Sequence, residues 1–338
     1  MCGHEPAIVL RDVQLGRRDR PWKPQKVKSL ALAASYIRIG KNQQLPAFEK
    51  AGSRVWVCGD TLEFKQGFNS ETGEDFKKLS GGNFCRDRLC PMCSWRKSIV
   101  SFSQLSRVMD WVEANYFGLT PIFLTLTVRN CAIQDLSKTI DVIQKAWKFM
   151  MKDRQIKKRV KGTFRSLEVT FNSETKTFHP HLHAVIMVPN EYFHKQKDLY
   201  MTQRDWEATW QRFLNVDYKP RVDVRKIGNG DGRSKAVAEV AKYAVKPGDW
   251  LSDNYEQTDL VVFNLREQLF GRKLVTFSGV LLEAKKALKL EDVEKADLIH
   301  VCEDEVIRGD VVELIEIYKW NVGVTNYLLE FAYVPTEE

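Results

Sequence analysis

The runs 163-TFRSLEVTFN-172 and 181-HLHAVIMV-188 are both of strand length and rich in β-branched and aromatic residues, and the loop between them is too short for a crossover helix. Paired, they must run antiparallel. Around them the apolar spacing predicts strands at 122–128 and 221–227 and helices at 136–152, 203–214 and 235–245, the last stopped by Pro247 and Gly248. Short connections between neighbouring strands, with helices interspersed, predict an α+β fold in which helices cover an antiparallel sheet.

The chain has 338 residues, 43% of them hydrophobic, enough for a substantial core and two domains. Four regions are read from it. Residues 1–50 are basic and irregular, and Pro21 and Pro24 suggest a loosely packed arm contributing little core. Residues 51–116 carry a strand at 55–66, a cysteine cluster and a helix at 94–116. Residues 117–250 hold the sheet, and residues 251–338 form an accessory region of mixed helix and strand signals.

The apolar runs 121-PIFLTLTV-128 and 184-AVIMVP-189 fall far short of the roughly 20 residues a membrane span needs. The segment 29-SLALAASYI-37 lacks the layout of a secretory signal. A cytoplasmic protein without a membrane span is expected. Lysine and arginine outnumber aspartate and glutamate by 52 to 44, a net charge of +8, which favours polyanionic partners. Basic runs lie at 16–28 and 152–161; either also reads as a solvated helix face.

In 179-HPHLHAVIMV-188 the two-residue period of a strand places His181 and His183 on one face. Two imidazoles aimed at one point bind a divalent metal if a third ligand joins them. Glu168, on the neighbouring strand, is the preferred third ligand; His179, of the same parity but next to Pro180, is the alternative.

In 235-KAVAEVAKYAVKPGDW-250, Glu239 and Tyr243 stand four residues apart, so a carboxylate and a phenol are neighbours on one helix face, with Lys246 about a turn beyond. A phenol with a pKa near 10 is a poor nucleophile at neutral pH unless a metal polarises the group it attacks. A nearby carboxylate can take a proton from the tyrosine or from a later water, and a lysine can hold a phosphate. These types fit phosphodiester transfer. Alone, either motif is also found on ordinary surfaces; together they point to a site.

The segments 123-FLTLTVRN-130, 179-HPHLHAVIMV-188 and 239-EVAKYAVK-246, in this order, resemble the signature of the rolling-circle plasmid replication initiators, members of the HUH endonuclease superfamily with one catalytic tyrosine. The resemblance runs from about residue 55 to 280 and includes 84-FCRDRLCPMCSWRKS-98. It implies a five-stranded antiparallel sheet flanked by helices, with residues 117–250 as an endonuclease core. It further implies Mg²⁺ or Mn²⁺ on His181 and His183, attack by Tyr243 on the origin strand to give a 5′-phosphotyrosine and a 3′-hydroxyl primer, and a water-activating role for Glu239. The partners implied are single-stranded or cruciform origin DNA, with a host helicase and a DNA polymerase beyond it.

Cys85, Cys90 and Cys93 form a knuckle around 90-CPMC-93, which can grip zinc through thiolates. Cys58 is the best fourth ligand, giving a structural Cys₄ site. Cys2, Cys131 and Cys302 read as bystanders, Cys131 as a buried small residue.

A mobilisation relaxase has its tyrosine before the histidines, whereas Tyr243 follows His183 by 60 residues. A short transposase of the superfamily would be about half this length. A zinc-containing DNA-binding regulator that does not cut fits the charge and the cysteines, but leaves the histidine and tyrosine motifs without a role.

Overall fold

The computed structural model describes residues 7–11, 20–194, 198–228, 230–242, 250–301, 304–305 and 307–335. In chain order these contain helices α1 (Trp22–Gln43) and α2 (Pro46–Trp56), strands β1 (Thr61–Asn69) and β2 (Asp75–Gly82), and helix α3 (Pro91–Asn115). There follow β3 (Leu119–Thr127), β4 (Cys131–Ala132), α4 (Leu136–Lys152), α5 (Arg154–Arg159), β5 (Gly162–Asn172) and β6 (Thr177–Pro189). The chain continues with α6 (Gln203–Leu214), β7 (Val222–Lys226), α7 (Asp231–Val240), α8 (Tyr255–Leu269), β8 (Val275–Gly279), α9 (Val280–Ala287), β9 (Asp310–Asn321) and β10 (Asn326–Tyr333). None of the described helices is long and apolar enough to cross a membrane.

The chain divides into two compact units, one of residues 1–97, 251–263 and 296–338, the other of residues 98–250 and 264–295. In the first, an antiparallel sheet of order β10-β9-β1-β2 joins strands from both ends of the sequence. The expectation of an irregular arm up to residue 50 is corrected here. Pro21 is the N-cap of α1 and Pro24 falls in its first turn, where proline's missing N–H costs nothing. Trp22, 1% exposed, packs edge-on against Phe64 and Trp95 at ring-centroid distances of 5.8 and 4.7 Å. Helices α1 and α2 approach closely through Gly52, where an added Cβ would lie 2.7 Å from Ile37 Cγ1 and 3.0 Å from the Ala33 carbonyl oxygen. The strand expected at 55–66 begins only at Thr61: Val55 and Trp56 end α2, and Cys58 occupies the intervening turn.

The second unit holds an antiparallel sheet of order β7-β3-β6-β5-β8, with the two-residue β4 added on β6. The antiparallel arrangement agrees with expectation, but the sheet has six strands, and β8 comes from beyond residue 250. One face is covered by apolar residues of α3, α7 and α9, including Leu105, Val108, Val237, Val240 and Leu281, packed on Phe123, Phe164 and Val185. Helix α4 packs with α6 and against β6, burying Ile140, Ile143 and Trp147. The β5–β6 register pairs Glu168 with His181 and Ser166 with His183, and β3 pairs Thr125 with His183.

Candidate metal centre

Strands β5 and β6 deliver three metal-capable side chains to the sheet face that also bears Phe164 and Val185. Glu168, His181 and His183 are all buried, and their ligand atoms lie within 4.8 Å of one another. His183 Nε2 is 3.0 Å and His181 Nε2 3.4 Å from the same oxygen, Oε2 of Glu168. The tautomers follow from the other ring nitrogens. His181 Nδ1 is 3.1 Å from the His179 carbonyl oxygen, which can only accept, so Nδ1 carries the proton and Nε2 presents its lone pair to the centre. His183 Nδ1 is 3.0 Å from Thr125 Oγ1, a contact that allows the same orientation. A carboxylate and two imidazole lone pairs converging at one point are the donor set of a divalent cation site.

His179 does not join this group. Its Nδ1 donates to Asn130 Oδ1 at 2.9 Å, and its ring lies tilted beside that of His181. Burial, aided by the positive charge of Arg221, holds its basicity below the ordinary imidazole value.

Helix α7 brings Glu239 to the edge of the triad. Its apolar side docks Val237 and Val240 in the core, and Ser166 Oγ donates to the Val240 carbonyl at 2.6 Å, fixing the helix end over β5. Glu239 is partly exposed; its Oε1 is 4.0 Å from His183 Nε2, and its other oxygen pairs with Lys242. The helix expected over 235–245 runs from Asp231 to Val240 and gives way to a turn at Ala241 and Lys242, while Tyr243 and Lys246 lie outside the described residues. The motif reading missed Thr125, Asn130 and Lys242. Thr125 and Asn130 do fall within the segment 123–130, and a polar side chain inside an apolar strand, with another just beyond it, was the available signal.

In the other unit the sulfurs of Cys58, Cys85, Cys90 and Cys93 also lie within 4.8 Å of one another. The Cys58–Cys93 and Cys58–Cys90 distances are 3.6 Å and Cys85–Cys93 is 3.7 Å. A tetrahedron with metal–sulfur bonds of about 2.3 Å has edges of about 3.8 Å, so the spacing suits four thiolates around one ion. Backbone N–H groups point at the sulfurs: Cys85 to Cys58 at 3.3 Å, Arg86 to Cys93 at 3.2 Å and Asp87 to Cys85 at 3.4 Å. Arg86 takes the left-handed conformation (φ 59°) that the knuckle turn requires. The buried Lys26 donates to the carbonyls of Trp56 and Cys58 and so fixes the turn that carries Cys58. Although burial opposes it, contacts from Cys58, Cys85 and Cys93 hold the Cys90 thiol well below its ordinary value. Contacts from Cys58 and Cys90 push the Cys85 thiol up. Cys131 is half-buried on β4 rather than fully buried, and Cys2 and Cys302 lie outside the described residues.

Fold and centre together define an α+β protein with two metal-capable sites, one of buried oxygen and nitrogen donors on a sheet and one of four sulfurs. The sequence matches the family described as Replication protein over residues 76–328. The chain belongs to that family. It is similar to the Protein rep of Streptococcus pneumoniae serotype 2, 33% identical over 323 residues that cover 95% of this chain and 96% of that one. It is also similar to the Protein rep of Bacillus amyloliquefaciens, 34% identical over 342 residues covering 95% and 97%. A Replication protein of Staphylococcus aureus is 33% identical over 205 residues, covering 59% and 86%. No solved structure matches the chain.

Proposed function

We propose that this protein initiates plasmid rolling-circle replication by nicking and rejoining single-stranded origin DNA through Tyr243. The observation that carries the proposal is the convergence of Glu168 and the two imidazoles beside Glu239, which stands four residues before Tyr243 in the sequence. Glu168, His181 and His183 would hold Mg²⁺ or Mn²⁺, which when bound polarises the scissile phosphate and stabilises charge on its oxygens.

Tyr243 Oη forms the new bond to phosphorus as the bond to the 3′ oxygen breaks. The phenolic proton is taken by a base, and the departing 3′ oxygen takes a proton from solvent to become the 3′-hydroxyl that primes synthesis. Glu239, partly exposed and near the triad, is positioned to accept a proton, first from the tyrosine and later from the water that ends the round. Lys246 holds the phosphate oxygens. The His179 carbonyl fixes the tautomer of His181 with Nε2 free for the ion, and the Thr125 hydroxyl, by accepting from Nδ1 of His183, would hold that ring in the same state.

Cys58, Cys85, Cys90 and Cys93 would hold zinc, which would tie the turn after α2 to the start of α3; four protein thiolates would leave it a structural role. Origin DNA is the partner, and a cytoplasmic location suits it.

The test is cleavage of labelled single-stranded oligonucleotides, tiled across the DNA surrounding the gene, with Mn²⁺ or with EDTA. Wild type should give a metal-dependent nick with a protein-linked 5′ fragment, and Tyr243→Phe should give none while still binding. Binding without cleavage by wild type in Mn²⁺ would instead make the protein a non-cutting regulator.

A further inference from the structure

On β5 the residues alternate between the two faces of the sheet. Ser166 and Glu168 face the triad; Thr163 and Arg165 face the other way, into a cavity of about 650 Å³ between β5, β8 and α4. Arg165 is only 7% exposed, its Nη1 meets no hydrogen-bond partner among the described residues, and burial lowers its pKa to about 10 with no carboxylate offsetting the effect. A buried guanidinium in that state is held at a cost that a bound anion would offset. Lys148, Lys152, Arg272 and Lys273 also line the cavity, and none of its described lining residues is acidic. Of these, Arg272 is engaged with Asp141 and Ser137, whereas Lys148 and Lys273 are exposed at the rim. Thr163 and Ser278, joined at 2.7 Å, add hydroxyls to the wall.

We propose that this cavity binds a phosphate group, with Arg165 as its inner anchor and Lys148 and Lys273 as its outer cations. A guanidinium suits the task because its planar fork of donors matches two phosphate oxygens. Two sources share this chemistry: the backbone of a DNA strand and a free nucleotide. The site needs neither Tyr243 nor the triad, so it stands or falls separately from the nicking reaction.

The test uses the full chain as wild type, Lys148→Ser/Lys273→Ser and Arg165→Met. Calorimetric titration with sodium pyrophosphate at fixed ionic strength should show binding to wild type, about tenfold weaker binding to the lysine pair variant, and none to Arg165→Met. The lysine pair variant, changed only at exposed positions, keeps the test valid if Arg165→Met fails to fold. Anisotropy of a fluorescein-labelled oligothymidylate and titration with ATP separate the sources. If a strand supplies the phosphate, the lysine pair variant binds the oligonucleotide more weakly, and its slope of log affinity against log salt is smaller by about 1. If a nucleotide supplies it, ATP binds wild type more tightly than the lysine pair variant while oligonucleotide binding is the same. Pyrophosphate, ATP and oligonucleotide each binding wild type and the lysine pair variant equally would overturn the proposal.

Discussion

Glu168 and His183 meet off the backbone register: their strands pair Glu168 with His181 and His183 with Ser166, yet His183 Nε2 is 3.0 Å from Glu168 Oε2 and His181 Nε2 is 3.4 Å from it. The carboxylate reaches diagonally, as long side chains can on one sheet face, and so serves both rings with one oxygen. Each ring is in turn held from behind, His181 by a carbonyl and His183 by Thr125.

That backing gives the first prediction. Thr125→Val removes the hydrogen bond to His183 Nδ1 while leaving all three ligands in place, and should weaken Mn²⁺ binding by about 10- to 100-fold. Titration followed by electron paramagnetic resonance reads this directly. Affinity equal to wild type would mean that Thr125 does not orient the ring.

The sulfur cluster predicts one tightly bound zinc per chain, measurable by elemental analysis of protein purified without added metal. Cys93→Ser should lose that zinc and lower the melting temperature by about 5 °C or more, because the ion would cross-link the turn after α2 to the start of α3. A strong chelator should lower the wild-type melting temperature in the same way and leave the variant unchanged.

The crossing of α1 and α2 predicts that Gly52→Ala is costly. Its Cβ would meet a backbone oxygen at 3.0 Å as well as Ile37, so the helices must separate, at about 1–3 kcal/mol. Ser53→Ala, one residue along and exposed, should stay within about 0.5 kcal/mol of wild type. Urea denaturation of the pair separates close packing from helix propensity.

A pH dependence follows from Asp310. Burial pushes its carboxyl up, but Lys78, Asn69 and the Ile307 N–H outweigh burial and hold it below the usual carboxylate value. Because the folded pKa lies below the unfolded one, the stabilisation is full above the unfolded value of about 3.9 and is lost as pH falls through the lower folded value. The stability gap between wild type and Asp310→Asn should therefore be widest near neutrality and close in acid. A gap independent of pH would remove the carboxylate's charge as its cause.

The second unit was legible because its strands and helices carry strong local periods: α4 at 136–152 and α6 at 203–214 coincide with the expected spans, and β3, β5, β6 and β7 lie within a few residues of theirs. Glu168 could be placed beside His181 and His183 because adjacent antiparallel strands leave little freedom of register. Helix α1 was hidden by its own composition: Lys26, Ser29 and Ser35 are polar yet buried, so its inward face does not read as apolar. The cavity around Arg165 was invisible for a related reason, since a charged residue within an alternating strand gives no sign of which face is closed. The partners of β8, β9 and β10 were beyond reach because strand pairing over such separations leaves no local trace in sequence.

The long-range pairing of β1 with β9 also sets a timetable. Thr61 pairs with Lys319, so the ribosome must add 258 residues (319 minus 61) before that end of β1 can find its neighbour. At about 5–20 residues per second this takes roughly 13 to 50 seconds, long enough for the 98–250 segment to emerge and begin folding first. Through that interval the β1–β2 hairpin carries an unpaired edge in a growing chain. Synthesis speed thus sets how long that edge waits for its partner strand.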